Sequence, residues 1–139
     1  MSKDLDEIKE SGEKLLKKLS RDLNTELSFN KQTIIWLDAY IAGNRDVFSE
    51  EEKRNLSYSI GYILGETIIL EYGGRWIFSN DFSQWVVDLG SIQANPIGKT
   101  QKYLNDYLDS IESFFNVIGI SREDGGFGFE KSIKNEIGE

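Results

Sequence analysis

The sequence contains no cysteine and no histidine among its 139 residues. Without cysteine, the chain has no disulfide scaffold, no thiol nucleophile and no thiolate zinc site. Without histidine, it lacks the commonest general base and the commonest ligand of transition metals. No serine stands in a nucleophile-elbow pattern. These absences favour a protein that is not an enzyme, and we expect no catalytic residue, no metal site and no cofactor.

An apolar signal region is missing at the N-terminus, and no apolar run is long enough to span a membrane. We therefore expect a cytoplasmic protein. Its formal net charge of −8 repels nucleic-acid phosphates and anionic lipid, and it attracts a basic partner. The same charge also serves solubility, so it permits a basic protein partner without identifying one. We expect neither nucleic acid nor a membrane as a partner.

The fold is predicted to centre on the stretch from Leu56 to Trp76, which is apolar on most of its circumference when drawn as a helix. Ser49 and Glu52 have the spacing of a capping box at its start, and Gly73 and Gly74 can end the helix. The apolar and aromatic contents of 39% and 12% are those of a globular protein. The length favours one domain, residues 1–139.

The remaining pattern predicts an α+β fold. A charged amphipathic helix over residues 3–23 precedes a core of residues 28–118, in which a second helix begins at Ser28 or Asn30. Three short strands follow the central helix as an antiparallel meander. Asn95 and Pro96 then begin one long closing helix. The glycine-rich residues 119–139 are predicted as an edge strand, a partner-binding segment or a mobile tail.

Three residues near the end of the central helix are predicted to be structural. Glu66 interrupts an apolar helix but lies on a narrow polar stripe, which favours an exposed or ion-paired carboxylate over a catalytic one. Arg75 can neutralise Glu66 or Asp88. Trp76 is expected to pack back on the last turn of the helix.

Aromatic residues provide the better functional indication, because they are dense around the first strands. Tyrosine and tryptophan are favoured contact residues in protein interfaces, although the same side chains can also fill the space between helix and sheet. With nearby acids, they make a candidate surface for a basic protein. The predicted partner-binding residues are Asp81, Phe82, Trp85, Asp106 and Asp109.

A set of short motifs resembles a group of small bacterial domains of unknown function. The motifs are Leu64-Gly65-Glu66, Gly73-Gly74-Arg75-Trp76, Asn95-Pro96 and Asp109-Ser110-Ile111. The resemblance covers roughly residues 56 to 118, although the chain lacks a more basic segment after the proline. It implies a non-enzymatic α+β domain, and some similar domains are immunity proteins that neutralise a secreted toxin.

Two hypotheses follow. The leading one is an acidic protein-binding domain of immunity or antitoxin type that occludes a basic toxin. The alternative is a small-molecule sensor with an aromatic pocket between the central helix and the sheet. The sequence leaves the oligomeric state open.

Overall fold

The computed structural model describes residues 3–106 and 110–123, and within them the chain has a mixed α+β fold. Five α-helices and three strands follow one another in the described part. The helices are α1 (Leu5–Leu23), α2 (Lys31–Asn44), α3 (Glu50–Tyr72), α4 (Pro96–Asn105) and α5 (Ile111–Glu123), and the strands are β1 (Arg75–Ser79), β2 (Gln84–Asp88) and β3 (Gln93–Ala94). No helix within the two described ranges is long and apolar enough to cross a bilayer.

Local capping signals place α2 and α3 where the sequence predicts them. The Asn30 side chain accepts a hydrogen bond from the Thr33 N–H at the start of α2. Ser49 and Glu52 form both bonds of a capping box at the start of α3. Each bond satisfies a backbone donor that has no partner inside the helix. The predicted boundaries of the central helix are therefore confirmed.

The predicted long closing helix is confirmed only in part, because it is two helices. Asn95 caps α4 as predicted, with its side chain accepting from the Gly98 N–H. Asp106 then has extended backbone, with φ −148° and ψ 152°. Ser110 begins α5, since its hydroxyl accepts from the Ser113 N–H. The new helix reaches Glu123, so residues 119–123 are helical and residues 124–139 of the predicted tail lie outside the described residues.

The three strands form one antiparallel sheet in the order β1-β2-β3, which confirms the predicted meander. Strands β1 and β2 pair along their length, from Arg75 opposite Asp88 to Ser79 opposite Gln84. Gly73 and Gly74 both have positive φ, of 87° and 108°, and lead the chain out of α3 into this sheet.

A single main core cluster draws residues from α1, α2, α3, β2, α4 and α5. Two glycines of α3 let neighbouring elements come close to it. A Cβ at Gly61 would lie 2.7 Å from the Ile97 Cα, and one at Gly65 would overlap the Trp76 ring. Gly61 and Gly65, one turn apart, thus form a site of close packing against a backbone and an aromatic ring.

Gly12 has a similar role in α1. The sequence suggests that this glycine weakens the first half of the helix. In the structure α1 runs through it without a break, and Gly12 is buried where a Cβ would lie 2.6 Å from the Tyr62 ring. Its small size therefore allows α1 to pack closely on α3.

Candidate functional site

Two aromatic residues lie side by side near the loop end of the β1–β2 hairpin. Phe78 and Trp85 are directly opposite in the strand register. Their ring centroids are 5.6 Å apart, and the rings are nearly perpendicular, at 78°. Edge-to-face contact of this kind is favourable because the positive ring edge meets the negative ring face. Trp85 packs on the small cluster of Ile8, Tyr62 and Ile97, whereas Phe78 is 41% exposed.

A third aromatic residue lies in the turn that follows β1. Phe82 is half-buried, and its backbone N–H donates to the buried Ser79 hydroxyl at 3.3 Å. Asp81, next to it, is exposed. The structure therefore brings together three of the five predicted partner-binding residues, Asp81, Phe82 and Trp85, at one end of the hairpin.

Phe78 was missed by the sequence-based prediction, although it is the most exposed aromatic residue of this hairpin. A strand over residues 75–79 places Phe78 on the same face as Trp76, and hairpin pairing then sets it beside Trp85. The alternation of side chains along β1 and the pairing register of the hairpin are therefore the signals that could have identified Phe78.

The first turns of α1 carry negative charge in the neighbourhood of the hairpin. Ile8 belongs to the cluster on which Trp85 packs, so the start of α1 lies close to the hairpin. Around Ile8 the helix carries four exposed acids. They are Asp4, Asp6, Glu7 and Glu10. Asp4 and Glu7 also form the capping box of α1, which fixes part of this acidic surface in place.

The structure does not bring Asp106 to the hairpin. Trp85 packs near Ile97 in the first turn of α4, while Asp106 follows the last turn. Nine residues of helix separate these two positions by about 14 Å along the axis. Asp109, the fifth predicted partner-binding residue, lies outside the described residues. The candidate surface is thus the hairpin end. We call it the hairpin surface, and its members are Phe78, Asp81, Phe82 and Trp85. Asp6 and Glu10 lie two residues before and after the buried Ile8, so they are on the outward side of α1.

Two of the three residues predicted to be structural, Glu66 and Trp76, meet between α3 and the sheet. The Trp76 indole N–H donates to the Glu66 carboxylate at 2.9 Å. Its ring stacks on Tyr62, with centroids 5.7 Å apart. Burial, followed by the nearby charges of Glu66 and Glu13, raises the pKa of Tyr62 above its usual range.

Arg75 is paired with Asp88, one of its two predicted partners. Its Nε lies 4.0 Å from the Asp88 carboxylate across the β1–β2 pair. The Arg75 side chain is 79% exposed, so solvent screens the attraction strongly. The half-buried Glu66 is held instead by the neutral indole of Trp76. The Trp76 indole lies between α3 and β1. The small-molecule hypothesis places its ligand pocket in this same space between the central helix and the sheet.

A second polar group, which the sequence did not predict, joins α2, α4 and α5. The Asp38 carboxylate accepts from the Tyr103 hydroxyl at 2.7 Å and from the Glu112 N–H at 2.9 Å. The Arg45 guanidinium lies 4.7 Å from the Tyr103 ring centre and donates to the Tyr103 carbonyl. Burial, then the bond to Asp38, raises the pKa of Tyr103 to about 12. This polar group lies at the end of α4 that precedes Asp106, and it holds α2, α4 and α5 together.

No protein-family model, curated protein or solved structure matches the chain. The resemblance to immunity-type domains therefore stays a prediction that depends on its short motifs.

Proposed function

We propose that this chain is an acidic protein-binding domain whose hairpin surface covers a basic surface of a partner protein. An immunity or antitoxin protein would act in this way on a toxin in the bacterial cytoplasm. The observation that carries the proposal is Phe78, a large aromatic side chain that is 41% exposed and rests edge-on against Trp85.

The physical argument depends on how interfaces divide their energy. A few central aromatic anchors supply most of the binding energy, while charges at the rim steer the encounter. Here the aromatic pair is held by strand pairing on one side and by the cluster below Trp85 on the other. Because its geometry is set before binding, little entropy is lost when a partner packs on it.

The acids complete the match to a basic partner. Asp81 lies beside the aromatic residues, and Asp6 and Glu10 are exposed on the first turns of α1. With a net charge of −8 on the whole chain, the hairpin surface attracts a cationic protein and repels an anionic one.

The test is affinity capture from the native cell with three tagged proteins: the unchanged chain, Phe78→Ser and Val47→Ser. Val47 is a matched control because it is 76% exposed and lies in the turn before α3, away from the hairpin. We expect a basic protein to be captured in stoichiometric amount by the unchanged chain and by Val47→Ser. Phe78→Ser should lose it, because truncating an aromatic anchor costs about 2 kcal/mol or more of binding energy.

Thermal unfolding of all three proteins must accompany the capture, so that loss of binding is separated from loss of fold. A partner that Phe78→Ser retains as well as the unchanged chain does would show that the hairpin surface is not the interface. Retention of no partner by any of the three proteins would refute the protein-binding proposal itself.

A further inference from the structure

A groove of about 550 Å³ lies between the second half of α1 and the loop that leads to α2. Three apolar side chains form its base: Leu16, Leu27 and Phe29. Four charged residues surround the base: Glu13, Lys17, Arg21 and Glu26. The volume is in the range of sites that bind small molecules, and an apolar base with a few charged groups is their usual composition.

The walls of the groove are fixed by hydrogen bonds within the protein. The Ser20 hydroxyl donates to the Leu16 carbonyl at 2.8 Å and accepts from the Leu27 N–H at 3.0 Å. The Thr25 N–H donates to the Ser20 carbonyl at 3.0 Å, which ties the loop to the end of α1. Phe29 rests edge-on against Tyr62, 6.1 Å between ring centroids. A ligand would therefore enter a groove that is already formed.

The charges along α1 are separated by sign. Glu13, Lys17 and Arg21 follow one another at intervals of four residues, so they line one side of the helix. Eight residues separate Glu13 from Arg21, about 12 Å along the axis. All three are exposed, and none forms an ion pair with another residue in the described part of the chain. The α1 side of the groove thus has an acidic end and a basic end.

We propose that this groove binds a short apolar peptide with free termini, with its ammonium group at Glu13 and its carboxylate at Lys17 and Arg21. An extended tripeptide spans about 10 Å, which matches the separation of the charges. Its apolar side chains would cover the base of the groove. Glu26, from the loop, makes the four rim charges sum to zero, as in the zwitterionic peptide.

The test is calorimetric titration of the full chain with the tripeptide Leu-Ala-Leu and with two blocked forms, one N-acetylated and one C-amidated. We expect the free peptide to bind and each blocked form to bind about tenfold more weakly, since each block removes one charge-assisted hydrogen bond. In Glu13→Gln the acetyl group should no longer matter, and in Arg21→Gln the amide should matter less, because only Lys17 then faces the carboxylate.

Two further variants of α1 are matched controls. Glu10→Gln and Lys14→Gln make the same charge changes at exposed positions that do not line the groove. Both should leave the affinity and the effects of the blocks unchanged. Equal binding of free and blocked peptides would overturn the proposal, and so would failure of the free peptide to bind at millimolar concentration. Neither result bears on the hairpin surface, whose test is the loss of a protein partner in Phe78→Ser.

Discussion

At the scale of single residues, Gly65 controls how closely β1 can approach α3. A Cβ at this position would overlap the Trp76 ring, which itself stacks on Tyr62 and is held by Glu66. We expect Gly65→Ala to lower the free energy of unfolding by about 1–3 kcal/mol, because a fixed ring must move to admit the methyl group. Urea unfolding followed by tryptophan fluorescence measures this.

Gly43→Ala is the matched control for Gly65→Ala. Gly43 also lies in a helix, but nothing comes within 4 Å of an added Cβ there. Alanine should stabilise that helix by up to about 1 kcal/mol, since glycine is the poorer helix former. Equal free energies of unfolding for the two variants would contradict the close approach of Trp76 to α3.

Tyr103 links stability to alkaline pH. Its pKa is about 12 in the folded protein against 10.0 for a free tyrosine, so the unfolded chain loses this proton first. The stabilisation is fully present below pH 10 and is lost as the pH rises through about 12, with a slope of at most about 1.4 kcal/mol per pH unit. Tyr103→Phe should remove this part of the pH dependence.

The measurement for Tyr103 is urea unfolding of both proteins from pH 8 to pH 12. Tyr62 also has a raised pKa, but it contributes equally to both curves and cancels in their difference. The unchanged chain should be the more stable one at pH 8, and its advantage should shrink above pH 10. A constant difference over the whole range would contradict the bond between Tyr103 and Asp38.

At the scale of elements, Asp38 is the residue that joins three helices. Its carboxylate lies on α2 and accepts from the Tyr103 hydroxyl of α4 and the Glu112 N–H of α5. Asp38→Ala leaves both donors without this acceptor, and we expect a loss of about 2–4 kcal/mol in the free energy of unfolding. The Glu112 amide should also lose protection from hydrogen exchange.

Asp22→Ala is the control for Asp38→Ala, because the Asp22 side chain is 55% exposed and pairs with Lys18 in a surface ion pair. Such a pair contributes well under about 1 kcal/mol. Asp38→Asn should fall between the two variants, since it keeps one acceptor oxygen. An unchanged exchange rate at Glu112 in Asp38→Ala would contradict the proposed link between α2 and α5.

The same junction shows which elements were predictable from sequence. The starts of α2, α3 and α4 depend on side chains within three residues, at Asn30, Ser49 and Asn95, so local patterns find them. The break after α4 is harder to predict, because apolar residues continue through it and Ser110 caps only the Ser113 N–H locally. The Glu112 N–H at the start of α5 is instead bonded by Asp38, 74 residues earlier in the chain.

The candidate site divides in the same way. Asp81, Phe82 and Trp85 were predictable as a group because they lie within five residues of one another around a single turn. Phe78 needed the strand register, and the acids of α1 needed the packing of Ile8 near Trp85. Asp106 was grouped with them on charge alone, and the length of α4 separates it from the hairpin.

At the scale of the whole molecule, the hairpin surface separates the two kinetic steps of binding. Acids on it and near it act at a distance and govern association, whereas its aromatic residues act in contact and govern dissociation. We therefore expect Asp6→Asn combined with Glu10→Gln to lower the association rate constant for the basic partner severalfold at low salt. The effect should vanish at about 0.5 M salt, because the Debye length is then only a few ångströms.

The dissociation rate constant should respond to the other variant. Phe78→Ser is expected to raise it more than tenfold with little effect on association. Glu51→Gln combined with Glu112→Gln makes the same change in net charge at the starts of α3 and α5. If steering depends on where the acids lie, this pair should slow association less than the α1 pair does. Equal slowing by both pairs would mean that the total charge of −8, and not the hairpin surface, attracts the partner.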